Sequence, residues 1–128
     1  MVIVNEIAQA RIGSWIEVHR ALGSGFMESA YEECSCRELD LRQDRFDRQY
    51  NLPVDYKGVR LDFGYRLDLL VAGTVVVEIK SVDRLLHIRQ AQLLTYLRLG
   101  VWKVGLLMNF NVSVLKQGIK RVVLGADE

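Results

Sequence analysis

The sequence predicts an α/β domain, a mixed β-sheet with helices packed on its faces, and three observations carry that expectation. Two stretches with apolar residues spaced about 3.6 apart open the chain. Two valine- and leucine-rich runs then follow in close succession, YRLDLLV (65–71) and TVVVEIK (74–80). Finally, a helical stretch leads directly into a continuous apolar run, VGLLMNF (104–110). Strand, helix and buried strand in that order are the pattern of a crossover that lays two strands parallel.

Taken in order, Val4 to Leu22 carries Ile7, Ala8, Ile12, Trp15, Ile16 and Val18 at helical spacing and predicts the first helix. Gly23-Ser24-Gly25 stops it and makes a helix-helix corner. A second helix is predicted from Phe26 to about Arg42, with Phe26, Met27, Ala30, Tyr31, Cys34 and Leu39 facing the core and Ser24 as its cap. From Arg45 to Leu61 the period shortens to two through Phe46, Tyr50, Leu52, Val54 and Tyr56, with a turn at Lys57-Gly58, which predicts a strand pair or meander. Pro53 assigns that segment to an edge, because proline cannot donate to a ladder. The runs 65–71 and 74–80 read as an antiparallel hairpin about Ala72-Gly73. A third helix is predicted over Ser81 to Leu99, through Leu85, Ile88, Gln92, Tyr96 and Leu99, with Asp83 as cap and Gly100 as stop. GIKRVVL (118–124) adds a short last strand.

The whole chain, 1–128, reads as one domain: 128 residues, half of them hydrophobic, suffice for one core and not for two. Seventeen basic residues balance sixteen acidic ones, so composition lends no support of its own to nucleic-acid binding, which usually leaves a basic footprint. A local basic cleft remains open. The start has no export-signal pattern, no apolar run approaches the roughly 18 residues of a membrane span, and the two cysteines, Cys34 and Cys36, point to different sides of a helix. These features predict a soluble cytoplasmic protein with reduced thiols, no membrane association and neither a disulfide nor a cysteine metal pair.

The hairpin interrupts its own apolar pattern at Asp68, Glu78 and Lys80. Charges in such strands are costly unless paired or ligated. Glu78 and Lys80, two apart on one strand, share a face. Asp68 joins them only if the turn has the right parity: a two-residue turn at Ala72-Gly73 would set it opposite Val77 and turn it away, whereas a three-residue loop at 72–74 or a β-bulge restores convergence. From spacing alone, a solvated face with a surface Glu-Lys pair is an equal reading. If the three converge, two carboxylates suit Mg²⁺ or Mn²⁺ and the lysine can orient or help deprotonate an attacking water.

Asp68 followed by Glu78-Ile79-Lys80 resembles the D…ExK core of the PD-(D/E)xK nuclease superfamily, and Gln92-x-x-x-Tyr96 resembles the QxxxY motif of its exonuclease-like branch. More narrowly, Gly25-Phe26-Met27-Glu28-Ser29-Ala30-Tyr31 is similar to the signature of the small bacterial GxxExxY family. The resemblance extends over most of the chain and implies a restriction-endonuclease-like fold. It further implies that Asp68, Glu78 and the Ile79 carbonyl hold the metal, with Glu28 adding a carboxylate, and that Lys80 stands at the attacking water. Gln92 and Tyr96, one turn apart, would brace Lys80 and the substrate phosphate. Where the family commonly reads His-Glu-Ala-Gln, this chain has Arg89-Gln90-Ala91-Gln92, so Arg89 is left to meet a phosphate or nothing. Tyr31 is a further candidate for substrate contact.

Set against these, Glu28 alone would be an ordinary first-turn carboxylate, and Tyr31 and Tyr96 core or boundary aromatics. His19 and His87 lack metal-ligand spacing and read as surface or boundary residues, and Asn109 as a strand end. Gly23-Ser24-Gly25 lacks the lysine and preceding strand of a phosphate loop. The expected function is a Mg²⁺- or Mn²⁺-dependent nuclease, on DNA ahead of RNA. The alternative is a weakly active or inactive module of the same fold that binds nucleic acid or a protein. Small size and near-neutral charge favour a homodimer or a protein partner in either case.

Overall fold

A computed structural model describes residues 2–125. Helices α1 (Val2–Leu22) and α2 (Glu28–Leu41) come first, then strands β1 (Phe46–Asn51), β2 (Val54–Tyr56), β3 (Val59–Leu61), β4 (Arg66–Val71) and β5 (Val75–Lys80). Helix α3 (His87–Gly100), β6 (Val104–Asn109), a short 3₁₀ turn (Leu115–Gly118) and β7 (Ile119–Val123) complete the order. Five strands form one sheet in the order β1-β4-β5-β6-β7, and β2-β3 is a separate hairpin. Within the sheet β5 and β6 are parallel and every other pair antiparallel. The α/β class, the mixed sheet and its flanking helices are therefore as the sequence predicts, including the parallel pair that α3 connects.

Alternation of side chains along the strands gives the sheet two apolar faces. One holds Leu69, Val71, Val75, Val77, Ile79, Leu106 and Met108 and is covered by α1 and α2 through residues such as Trp15, Val18, Tyr31 and Leu39. The other holds Leu70, Val76 and Leu107 and is covered by α3 through Leu93, Tyr96 and Leu97. Strand β6 is buried along its full length, as a strand sandwiched between two helical layers must be. Its Gly105 admits α3, because a Cβ there would stand 2.9 Å from the Leu93 side chain.

Several local expectations are corrected. Helix α2 starts at Glu28 with Met27, not Ser24, at the cap position, and Phe26 and Met27 are exposed instead of facing the core. Helix α3 begins at His87, so Asp83 does not cap it. The preceding segment is held out of the helix because Asn109 clamps Val82 through both backbone groups: Val82 N–H donates to Asn109 Oδ1 (3.1 Å) and Asn109 Nδ2 donates to Val82 O (2.9 Å). Asn109 thus does more than end its strand. The buried face of α3 is Leu93, Tyr96 and Leu97, while Ile88 is exposed. Helix α3 runs through Gly100, and the left-handed stop residue is Val101 (φ 58°). Pro53 lies between β1 and β2, outside either strand. His19 is buried, with Nε2 2.8 Å from the Val112 carbonyl.

Candidate active site

The connection from β4 to β5 decides where Asp68 goes. Three residues, Ala72-Gly73-Thr74, make the turn, with Ala72 (φ 55°) and Gly73 (φ 66°) in the left-handed region and Thr74 N–H donating to Val71 O (3.1 Å). The resulting register pairs Val71 with Val75, Leu70 with Val76 and Leu69 with Val77. Its continuation puts Asp68 opposite Glu78, and this is the three-residue solution that convergence requires.

The pairing ends at that point, and side chains take over from the ladder. The Asp68 N–H donates to Glu78 Oε2 (3.0 Å), and the Ile79 N–H donates to Asp68 Oδ2 (2.8 Å). The two carboxylates are thereby locked to the backbone of each other's strand. Strand β4 also changes face here: Leu67 packs with α3 while Leu69 packs with α1 and α2, although residues two apart on a regular strand share a face. Strand β1 distorts in step. Its pairing with β4 skips from Arg48↔Leu69 to Tyr50↔Leu67, and the intervening Gln49 is left-handed (φ 53°).

That distortion serves a residue the sequence reading missed. Glu32, buried on α2, accepts from Arg48 Nε (2.7 Å) and from Gln49 Nε2 at both oxygens (3.0 Å each). Its charge bears on both Asp68 and Glu78. Glu28 and Glu32, one turn apart on α2, offered a sequence signal, but nothing local to the sequence indicated that Gln49 would leave the β conformation.

Burial dominates the electrostatics of the pair. Glu78 is pushed up to about 8 by burial and then by the neighbouring Asp68 charge, with the Asp68 N–H and Lys80 pulling the other way. Asp68 is also raised, by burial first, against the Ile79 N–H and Lys80. Lys80, half-buried at the end of β5, is the cation both carboxylates feel. Tyr96 is buried on α3, and its hydroxyl is raised by burial and then by the Glu78 charge. Cys36, by contrast, is an inert buried thiol pushed up to about 11, and both cysteines are free.

The motif residues of α2 connect the helix corner to this site. Gly25 takes φ +100°, which favours glycine. Glu28 Oε2 accepts the Ser81 N–H (3.1 Å), and Ser81 Oγ donates to Phe26 O (2.7 Å), so the start of α2 is stapled to the residue after Lys80. Tyr31 is fully buried, stacked on Phe110 at 4.4 Å, and its hydroxyl donates to Gly23 O (2.6 Å) and accepts from Phe26 N (3.2 Å). Its hydroxyl thus donates once and accepts once at the corner. Gln92 Oε1 faces the exposed Arg89 at 3.5 Å, and among the described residues no hydrogen bond joins Gln92 to Lys80.

Hard oxygen donors make this a chemically suitable seat for Mg²⁺ or Mn²⁺. Asp68 and Glu78 each engage one oxygen with the backbone, and among the described residues Oδ1 of the first and Oε1 of the second receive no protein hydrogen bond. A buried carboxylate and a half-buried one that repel one another are the arrangement a divalent cation would relieve. Among the described residues, however, no three His, Cys, Asp or Glu side chains are gathered as a ready-made metal cluster. Nor is any helix in that range long and apolar enough to cross a membrane.

The family model of the PD-(D/E)XK nuclease superfamily matches residues 5–122, and the chain belongs to that superfamily. No curated protein and no solved structure is matched by the chain.

Proposed function

We propose that this member of the superfamily is a metal-dependent phosphodiesterase acting on nucleic acid, DNA ahead of RNA, and that Asp68, Glu78 and Lys80 are its working groups. The observation that carries the reading is the reciprocal pair of hydrogen bonds by which Asp68 and Glu78 are held together at the point where β4 and β5 part. Structural ion pairs neutralise buried charge, whereas this site concentrates two like charges and raises both carboxyls, a costly arrangement that suits binding and chemistry.

Asp68, Glu78 and the Ile79 carbonyl would hold Mg²⁺ or Mn²⁺, with Glu28 as a supplementary carboxylate once released from Ser81. When bound, the ion supplies Lewis acidity at a phosphoryl oxygen and cancels carboxylate repulsion. Lys80 Nζ donates to the attacking water and fixes its approach, then stabilises the negative charge that grows on the phosphoryl oxygens. Tyr96 and α3 exclude bulk water from one side, which strengthens these interactions. The GxxExxY assignment rests on Gly25, Glu28 and Tyr31, whose contacts give each motif position a physical task.

The test is cleavage of labelled single- and double-stranded DNA and RNA with Mg²⁺, Mn²⁺ or EDTA. Lys80→Ala should keep the fold and lose cleavage by about 10²-fold or more. Equal behaviour of wild type and variant on every substrate would refute the reading. It would favour instead a binding module of the same fold.

A further inference from the structure

Resting on the phosphodiesterase reading, we propose that Phe63 and Tyr65 form a stacking platform for unpaired bases beside the carboxylate pair, so that the substrate is a single-stranded polynucleotide. Three aromatic rings step outward from the site at even intervals. Tyr96, buried on α3, lies 6.1 Å from Tyr65, centroid to centroid, and Tyr65 lies 6.0 Å from Phe63. The outer two are 43% and 59% exposed, although large rings in a segment between strands gain most by burial. They are also held in place: Tyr65 O accepts the Leu52 N–H (2.8 Å), and Asp62 Oδ1 accepts the Gly64 N–H (2.8 Å).

Such a platform selects for strandedness because an interior base of a duplex is already stacked on both faces, whereas an unpaired base has a face to offer. Charge points the same way. A net charge of +1 is poor equipment for gripping a duplex by its phosphates alone, while a single strand can be held by aromatic stacking with a few cations. Arg60 on β3, across from Asp55, and Arg66, next to Tyr65 in the chain, are exposed and make no ion pair among the described residues, so the strands flanking the platform carry cations that a phosphate backbone can meet.

The experiment measures binding apart from turnover: fluorescence anisotropy of the full chain with a labelled oligo-dT, its RNA counterpart and a duplex of equal length, all in EDTA. We expect single strands to bind at least tenfold more tightly than the duplex. In the double variant Phe63→Ala/Tyr65→Ala, with an unchanged melting temperature, single-strand affinity should fall by about tenfold or more, with duplex binding shifted less than twofold. Phe63→Tyr/Tyr65→Phe should bind as wild type does. Equal affinity for single strand and duplex, an unaffected alanine variant, or no binding of either would overturn the proposal. Comparing dT with its RNA counterpart assigns the sugar. Cleavage assays separate the two readings: an inert site with intact platform binding fails only the enzyme, whereas active cleavage that ignores strandedness and the alanine pair fails only the platform.

Discussion

Replacing Glu78 by glutamine tests the electrostatic core of the site without changing its shape. The amide keeps an oxygen to accept the Asp68 N–H and removes a charge buried beside another carboxylate. Glu78 titrates at about 8 in the fold against an ordinary 4.5. Below about 4.5 the group is protonated folded and unfolded alike, and its contribution to stability is fully present. As pH rises from there the unfolded chain ionises first, so the folded state binds more protons and stability falls until about 8, where the folded protein too must carry the charge. That interval corresponds to about 5 kcal/mol of preference for the protonated form. Allowing for imperfect partnering of the new amide, Glu78→Gln should be stabilised over metal-free wild type by about 2–4 kcal/mol at pH 9, on the order of 10 °C in melting temperature, with little difference near pH 5. Thermal melts of both proteins in EDTA from pH 5 to 9 provide the measurement. A wild type whose stability is flat over that range, together with a variant equally destabilised at both ends, would show that no buried charge is at stake and would refute the argument.

Metal binding should show the opposite pH trend: Mn²⁺ competes with protons for the same carboxylates, so the rise in wild-type melting temperature on adding it should be larger at pH 8 than at pH 6 and absent in Asp68→Asn. Glu32→Ala should cost about 1–2 kcal/mol in chemical denaturation, since it removes the acceptor shared by Arg48 and Gln49, while the exposed Arg48 keeps Glu33 at 2.9 Å. Tyr31→Phe should destabilise by about 1–2 kcal/mol through loss of the bonds to Gly23 and Phe26 while cleavage per folded molecule is unchanged, and selective loss of substrate affinity would instead make Tyr31 a substrate contact. Asn109→Ala should free the segment after β5 and appear as faster amide exchange at Val82.

By itself the sequence determined the element order, the hairpin, the parallel pair and the three charged positions, because these follow from local periodicity and from the cost of placing charge in an apolar strand. It also carried the condition on which the site depends, a three-residue loop between the strands or a β-bulge. Only the tertiary structure decided that the loop is Ala72-Gly73-Thr74 and that β4 and β5 part so that each carboxylate caps the other strand's N–H. A shift of one residue reverses a strand's faces at little local cost, so parity is settled by the packing of both sheet faces at once. The same reason hid Glu32 and Gln49: their contact joins a helix to a distorted edge strand, and its left-handed residue is specified by the buried carboxylate it reaches and not by its neighbours in sequence. The helix starts have a related cause, since side chains distant in the chain hold the segments before them: Asn109 clamps Val82 ahead of α3, and Ser81 binds Phe26 and Glu28 at the start of α2.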